Sequence, residues 1–131
     1  ADRVVLEITE RAALEDVKDV VARVAVLRFQ GFRIAIDDLG AGYAGLSSFA
    51  ALEPEIVKLD MSLIRNAHES PVRLKLIESM TSLCKEMKIL VVAEGVEVTQ
   101  ESDCVRRAGC DLVQGYLFGK PAPPFSSPVF P

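Results

Sequence analysis

The stretch ILVVAEGVEVTQESDCVRRAGCDLVQGY, residues 89–116, decides the fold. Ile89–Glu94 is a short apolar run that is typical of a buried strand. Thr99–Ala108 has helical spacing, with Thr99 predicted as the cap and Gly109 as the stop signal. Asp111–Tyr116 then predicts a second strand. A strand, a helix and a strand in this order predict a right-handed parallel β-α-β unit.

The same alternation of strands and helices continues toward the amino terminus. Further strands are predicted at Val4–Thr9, Phe32–Asp37 and Glu55–Asp60, and further helices at Ala12–Gln30 and Ser70–Met87. The chain is therefore predicted to be an α/β protein built from parallel β/α units. The pattern leaves two closures open, a doubly wound open sheet and a (β/α)8 barrel. The lack of a GxGxxG motif after the first strand disfavours a dinucleotide-binding sheet.

Composition limits the domain count and the function classes. The 131 residues, 50% of them hydrophobic, fit one domain, predicted over residues 1–124 with an irregular Pro-rich tail at 125–131. The net charge of -4 argues against a nucleic-acid polymer as partner. A single histidine, His68, disfavours Ser-His-Asp chemistry, and three cysteines without a CxxC spacing indicate a reducing, cytoplasmic compartment. No apolar run approaches the ~18–20 residues of a membrane span, and residues 1–8 do not resemble a signal peptide.

Polar side chains are predicted to converge at the carboxyl ends of the strands. Because strand side chains alternate between faces, each strand has one apolar face and one face that turns polar at its end. The polar set is Glu7, Asp37, Asp38, Lys58, Asp60, Glu94 and Gln114. The apolar layer on the same face is Val5, Ala35, Ile56, Val92 and Leu112. If the sheet curls into a barrel, the polar ends meet where barrel active sites lie.

The predicted carboxylate cluster indicates a divalent metal site. Buried carboxylates need a compensating cation, and hard oxygen ligands select Mg²⁺ or Mn²⁺. Two such ions could clamp a phosphoryl oxygen and lower the pKa of a bound water. Each residue alone also has a simpler interpretation, because a strand-end acid is often a helix cap or a solvated terminus. Asp38 could form a turn before Gly40, and Lys58 could extend from an edge strand to water.

The segment Asp37-Asp38-Leu-Gly-Ala-Gly-Tyr43 is the sharpest local motif. Two adjacent acids cannot face the same way in a regular strand. Gly40 and Gly42 are predicted to let the chain bend here, so that the second acid turns toward the site. A Gly-rich loop above the site could also gate it.

Five ordered motifs resemble those of one family. They are Leu6-Glu7-Ile8-Thr9-Glu10, Asp37-Asp38-Leu39-Gly40-Ala41-Gly42-Tyr43, Val57-Lys58-Leu59-Asp60, Ala93-Glu94-Gly95-Val96-Glu97 and Gln114-Gly115-Tyr116. In order and spacing they look like the signatures of EAL-domain cyclic di-GMP phosphodiesterases, over nearly the whole chain. The resemblance implies a TIM-like barrel that binds cyclic di-GMP and hydrolyses it to pGpG with Mg²⁺ or Mn²⁺.

The resemblance also implies a role for each matched residue. It implies metal ligands at Glu7, Asp37 and Asp38, with Asp60 at the edge of the metal site. It implies a water-orienting lysine at Lys58, a general base or second-metal partner at Glu94 and a supporting carboxylate at Glu97. It implies that Gln114 lies near the metals or substrate, and that Glu10, Gly40 and Gly42 anchor or shape the loop after Asp38.

The chain also departs from the family pattern. Ile8, Leu39 and Ala41 are mild changes, but the Glu-Ala-Leu motif and the metal-binding Asn that follows it are absent from the sequence. A whole barrel needs ~250 residues, so the chain is expected to be the C-terminal half, with an incomplete two-metal site and no activity alone. Its unpaired strand edges and exposed inner face predict a homo-oligomer.

Three functions remain open at this point. The first is one half of a metal-dependent cyclic di-GMP phosphodiesterase. The second is a non-catalytic module that binds cyclic di-GMP or a protein. The third is an unrelated metal-assisted barrel enzyme, against which the Asp-Asp-x-Gly-x-Gly-Tyr loop argues because the loop has no role there.

Overall fold

The chain folds into a parallel sheet whose connections are helical. A computed structural model describes residues 1–9, 19–41, 45–123 and 127–131, without the side chains of residues 45 and 46. The strands are β1 (Val5–Thr9), β2 (Arg33–Leu39), β3 (Ile56–Leu59), β4 (Leu90–Ala93) and β5 (Leu112–Val113). The helices are α1 (Val20–Phe29), α2 (Gly45–Leu52), α3 (Met61–Ile64), α4 (Pro71–Glu86) and α5 (Thr99–Arg107), with a 3-10 helix at Ala67–Glu69.

Strand order in the sheet follows chain order, and all four strand pairings are parallel. Parallel neighbours need a crossover connection, and helices supply it between successive strands from β2 to β5. The predicted α/β class is confirmed. Within the described ranges, β1 and β5 each pair with one strand, so the sheet has two open edges.

Side-chain alternation divides the core into two layers. The larger layer lies between the sheet and the helices, and its buried strand residues include Ile34, Ile36, Val57, Leu59 and Val91. The smaller layer lies on the opposite face and consists of Ala35, Ile56 and Val92, with Val5 packed against them. These four residues were predicted to share that face. Leu112, predicted in the same layer, is 52% exposed, because it lies on the edge strand β5.

The ends of two helices follow local sequence signals. In α4, the hydroxyl of Ser70 accepts a hydrogen bond from the N–H of Arg73 at 3.3 Å, and Pro71 is the first helical residue, both as predicted. In α5, the prediction of Thr99 as the cap is wrong. Val98 occupies the cap position, and the side chain of Glu101 accepts its N–H at 3.3 Å.

The first helix is shorter in the described residues than predicted. Ala12–Gln30 was predicted as one helix, but Asp19 has a left-handed φ of 62° and α1 begins after it. Residues 12–18 lie outside the described residues. The sequence analysis also missed α2 and the four-residue α3. Among the helices that the structure describes, none is both long and apolar enough to cross a membrane.

The last strand is cut short by a close backbone contact. The prediction of Asp111–Tyr116 is wrong in length, since β5 comprises only two residues. After it, the chain turns against the loop that follows β4: Val96 N donates to Gln114 O at 3.1 Å and Leu117 N donates to Val96 O at 3.1 Å. A Cβ on Gly115 would lie 2.0 Å from Val96 O, so only glycine allows this approach.

Candidate metal and catalytic site

Lys58 forms the centre of the site at the carboxyl end of the sheet. It lies on β3, between β2 and β4, and its side chain is 9% exposed. Its Nζ lies 2.7 Å from Glu94 Oε1 and 2.9 Å from Glu7 Oε1. A third oxygen, Oδ1 of Asp37, lies 3.3 Å away. Four strand-end residues that the sequence predicted to converge are therefore in contact.

Burial and the neighbouring opposite charge act in opposite directions on the pKa of Lys58 and on that of Glu94. Desolvation lowers the pKa of Lys58, but hydrogen bonds to Glu94 and Glu7 outweigh it, and the net pKa is raised. Lys58 is thus an ammonium at neutral pH and can donate protons in hydrogen bonds but not act as a base. Desolvation raises the pKa of Glu94, and the nearby carboxyl of Asp37 adds to this, while Lys58 opposes it. The pKa of Glu94 is therefore raised, chiefly by burial, in the direction that favours binding of a proton.

A bulge in β2 brings two adjacent acids to the same site. The pairing of β2 with β3 shifts between Ile36 and Leu39, and Asp38 has a left-handed φ of 59°. The extra residue turns Asp38 back toward the face of Asp37. The predicted bend is present, but it begins at Asp38 itself, and Gly40 continues it with a φ of 105°.

Asp37, Asp38 and Glu94 make an oxygen site that fits a divalent cation. One carboxylate oxygen of each lies within 4.8 Å of the other two, and all three residues are half-buried. Oδ1 of Asp37 is buried and makes no hydrogen bond of acceptable geometry, although Lys58 Nζ lies within ion-pair distance. A buried carboxylate oxygen without a hydrogen bond, beside two other carboxylates, offers the hard oxygen ligands that Mg²⁺ or Mn²⁺ prefers.

The other predicted site residues lie at the margin of this group. The Glu7 side chain is 46% exposed and reaches Lys58 but is not one of the three clustered acids. Asp60 accepts the N–H of Ser62 at 2.7 Å and caps α3. Gln114 is exposed at the end of β5. Glu10 and Gly42 lie outside the described residues, so their predicted roles stay predictions.

Glu97 is tied to a neighbouring loop rather than to the carboxylate cluster. Its carboxylate pairs with the two terminal guanidinium nitrogens of Arg65: Oε1 accepts a hydrogen bond from Nη2 at 2.7 Å, and Oε2 forms an ion pair with Nη1. The hydrogen bond from Arg65 lowers the pKa of Glu97. This pair joins the segment after α3 to the loop after β4, the two loops that follow Lys58 and Glu94.

The sequence analysis missed Glu101 as a residue of this region. Glu101 is 1% exposed and accepts N–H groups from the loops on either side of it. Burial opposes its ionisation, but the hydrogen bonds from the N–H groups of Glu97, Asn66 and Val98 outweigh burial and lower its pKa. The available signal was its position as the third residue of a helix, where Glu often binds the cap N–H.

Comparison with known proteins decides the family. The family model described as EAL domain matches residues 1–121. This chain belongs to the EAL domain family. The EAL chain is 37% identical over 121 residues to cyclic di-GMP phosphodiesterase PdeF of Escherichia coli K12. The matched region covers 92% of the EAL chain and 16% of PdeF. It therefore spans about a sixth of the length of that relative.

Solved EAL structures have the same fold. BlrP1 of Klebsiella pneumoniae, in a complex with calcium and cy-diGMP, has a TM-score of 0.85 and 37% identity over 92% of the EAL chain and 30% of BlrP1. A BlrP1 complex with manganese and cy-diGMP is also similar. The cyclic-di-GMP-bound standalone EAL protein of Vibrio cholerae O395 has a TM-score of 0.84 and 39% identity over 91% of the EAL chain and 50% of that protein. EAL domains have a TIM-barrel fold, so the predicted architecture and family resemblance are confirmed.

Proposed function

We propose that this EAL chain supplies part of the centre of a metal-dependent phosphodiesterase that hydrolyses cyclic di-GMP to pGpG. The observation that carries the proposal is the convergence of carboxylate oxygens of Asp37, Asp38 and Glu94 within 4.8 Å of one another. Two of these acids, Asp37 and Glu94, also lie beside the ammonium of Lys58. The names of PdeF and of the BlrP1 complexes support the substrate, and the metals in those complexes support a divalent cation.

The proposed metal ligands are Asp37 and Asp38, with Glu7 and Asp60 as further candidates from the family resemblance, and Glu94 beside them is the proposed base. Bound Mg²⁺ or Mn²⁺ would polarise a phosphoryl oxygen and favour ionisation of a water. In this proposal Lys58, kept charged by its carboxylates, donates hydrogen bonds to the attacking water or to a phosphate oxygen. Glu94 accepts a proton from the water, which its raised pKa favours.

Hydrolysis to pGpG consumes one water. The water oxygen forms a bond to one phosphorus of cyclic di-GMP, and the bond from that phosphorus to the ribose 3′ oxygen breaks. The 3′ oxygen leaves with a proton, and the phosphate stays on the 5′ oxygen of the linear dinucleotide. Gln114, at the end of β5, is proposed to contact the substrate, and Glu97, Gly40, Gly42 and Glu10 to hold the surrounding loops.

We further propose that the 131-residue polypeptide does not hydrolyse cyclic di-GMP alone. Its sequence contains no Glu-Ala-Leu motif, and the described sheet has five strands where a closed barrel has eight. The two open edges and the half-exposed Leu112 support association of copies into a homo-oligomer. Three free buried cysteines support a reducing, cytoplasmic location.

A transplant into an active relative tests the site directly. Residues 1–121 replace the matching segment of PdeF, and pGpG formation is measured with Mg²⁺ and with Mn²⁺. We expect turnover in the chimera and its loss in Glu94→Gln and Asp37→Asn, which keep side-chain shape but remove charge. A chimera that folds by circular dichroism and binds cyclic di-GMP without forming pGpG would refute the catalytic proposal.

The second candidate is a non-catalytic module that binds cyclic di-GMP or a protein. The missing Glu-Ala-Leu motif favours it for the chain as it stands. Calorimetric titration of the 131-residue chain with cyclic di-GMP in Mn²⁺ separates the two candidates. Tight binding by the chain, together with an inactive chimera, would support the module. An active chimera would support the phosphodiesterase centre.

A further inference from the structure

Glu101 is a buried carboxylate that the proposed chemistry does not use. It lies in the first turn of α5, is 1% exposed and is not among the clustered acids. A charged group so deeply buried costs several kcal/mol unless hydrogen bonds satisfy it. Its surroundings therefore show what it stabilises.

Both oxygens of Glu101 bind backbone N–H groups from two different loops. Oε2 accepts the N–H groups of Glu97 at 2.9 Å and Val98 at 3.3 Å, in the loop after β4. Oε1 accepts the N–H of Asn66 at 3.0 Å, in the segment after α3. Asn66 has a left-handed φ of 53°, which asparagine adopts more readily than most residues, so this hydrogen bond ties a tight turn to the first turn of α5.

The two loops meet at further contacts on the same side. Arg65 forms its two-nitrogen ion pair with Glu97, and Arg73 donates to Arg65 O at 2.5 Å. Gly95 lies directly on α3, since a Cβ on it would be 2.5 Å from the Cβ of Met61. Only the short helix α3 separates the segment of Arg65 and Asn66 from the strand of Lys58. The loop after β4 begins at Glu94, whose carboxylate is 2.7 Å from the Lys58 ammonium.

We infer that Glu101 is a positioning residue that fixes the Lys58–Glu94 pair by joining the segment that follows α3 to the loop that follows β4. Its meaning for catalysis rests on the proposed function, but the inferred geometry does not. Only a carboxylate can fill the role, because two oxygens must accept three N–H groups. In Glu101→Gln, one oxygen becomes an NH₂ group that faces an N–H donor, and one loop loses its connection.

The test uses the 131-residue chain and a readout at Lys58 itself. The ¹H–¹⁵N signal of the Lys58 ammonium is measured without metal, and backbone amide exchange is measured at residues 66, 97 and 98. Glu101→Gln is expected to shift the ammonium signal and to speed amide exchange at these positions by about tenfold or more. In parallel, the Kd for Mn²⁺ is expected to weaken about 10–100-fold, as for other supporting residues around metal ligands.

Two further variants keep the test decisive. Arg65→Gln breaks the exposed contact between the same loops and should fold even if Glu101→Gln does not, and it should shift the Lys58 signal in the same direction. Asp111→Asn is the matched control, since Asp111 accepts a single N–H, from Val91 at 2.8 Å, at the opposite end of β4. It is expected to change stability without changing the Lys58 signal.

The outcomes separate this inference from the proposed function. Faster amide exchange with an unchanged Lys58 signal in both Glu101→Gln and Arg65→Gln would overturn the inference, because the loops would open without moving the site. A wild-type chain that binds no Mn²⁺ would count against the proposed metal site. The ammonium signal needs neither metal nor substrate and would still decide the role of Glu101.

Discussion

Removal of the Lys58 ammonium should destabilise the protein in a pH-dependent way. Lys58→Met keeps most of the side-chain volume and removes the only cation within 3.3 Å of Glu7, Asp37 and Glu94 among the described residues. The carboxylates of Asp37 and Glu94 are each 17% exposed and would stay behind with no compensating charge from the lysine. Buried unpaired carboxylates are among the costliest groups that a folded protein can hold.

The distances set the size of the effect. At an effective dielectric constant of about 20, each of the three contacts gives about 5–6 kcal/mol of attraction. Desolvation of the ammonium and repulsion between the acids offset much of this, and the Glu7 contact counts for only about 0.2–1 kcal/mol because Glu7 is half exposed. Loss of one member of a buried ion pair then gives an expected decrease of about 3–5 kcal/mol in the free energy of unfolding.

The pKa shifts give the sign of the pH dependence. The raised pKa of Lys58 means that its stabilisation is fully present below the unfolded value of about 10.4 and is lost only as the pH rises through the folded value. In Lys58→Met, the already raised pKa of Glu94 should rise further, because the lysine lowers it in the wild type. A raised carboxyl pKa favours the folded state at acidic pH and loses that contribution as pH rises. The difference in the free energy of unfolding between wild type and Lys58→Met should therefore be larger at pH 7.5 than at pH 5.

Urea unfolding followed by circular dichroism, in EDTA at pH 5 and pH 7.5, measures this difference. Lys75→Met is the control, because Lys75 is 78% exposed and its pair with Glu78 is worth only about 0.2–0.5 kcal/mol. The reasoning is refuted if Lys58→Met stays within about 1 kcal/mol of the wild type at pH 7.5. It is also refuted if the loss is the same at both pH values.

Three further predictions concern other parts of the molecule. Asp38→Asn should keep the fold, because Asn tolerates a left-handed φ, and should weaken Mn²⁺ binding about tenfold or more through the lost charge, as electron paramagnetic resonance titration would show. Gly115→Ala should lower the free energy of unfolding by about 3 kcal/mol or more, since its Cβ would meet Val96 O at 2.0 Å, and a urea midpoint near that of the wild type would contradict this. Burial raises the pKa of Cys84 to about 11 and that of Cys110 to about 12, so iodoacetamide at pH 8 should label neither thiol in the native chain and both in urea, as read by mass spectrometry.

The strand segments and the parity of their side chains were predictable from the sequence because they depend on local alternation. Val5, Ala35, Ile56 and Val92 lie on one face as predicted, and the acids that follow them reach the same end of the sheet. Period-two alternation fixes the face of each side chain once a strand is recognised. The length of β5 depends instead on a contact with distant residues, Val96 against Gly115, which no local pattern contains.

The parts of the site that were missed involve backbone conformation and buried polar contacts. The glycines of the Asp-Asp loop indicated a bend, but not that Asp38 itself would adopt a left-handed φ within a bulge. Asp60 was placed at the metal edge, yet its described contact is the cap of α3, a simpler interpretation that the sequence had left open. Glu101 had a helix-start signal, but its contact with Asn66, 35 residues away, depends on the tertiary fold.

Lys58 and a divalent cation would compete for the same carboxylates. Replacing the lysine should therefore have opposite effects on metal binding and on catalysis. Its Nζ already lies 2.7 Å from an oxygen of Glu94 and 3.3 Å from one of Asp37, two of the three clustered acids. Without the ammonium, the local negative charge is greater and those oxygens are open to a cation. We therefore expect Lys58→Met to bind Mn²⁺ more tightly than the wild type, and saturating Mn²⁺ to restore part of its lost stability, while the PdeF chimera carrying the same change forms no pGpG. Weaker Mn²⁺ binding by a folded Lys58→Met chain would mean that the lysine shapes the oxygen site rather than competes for it.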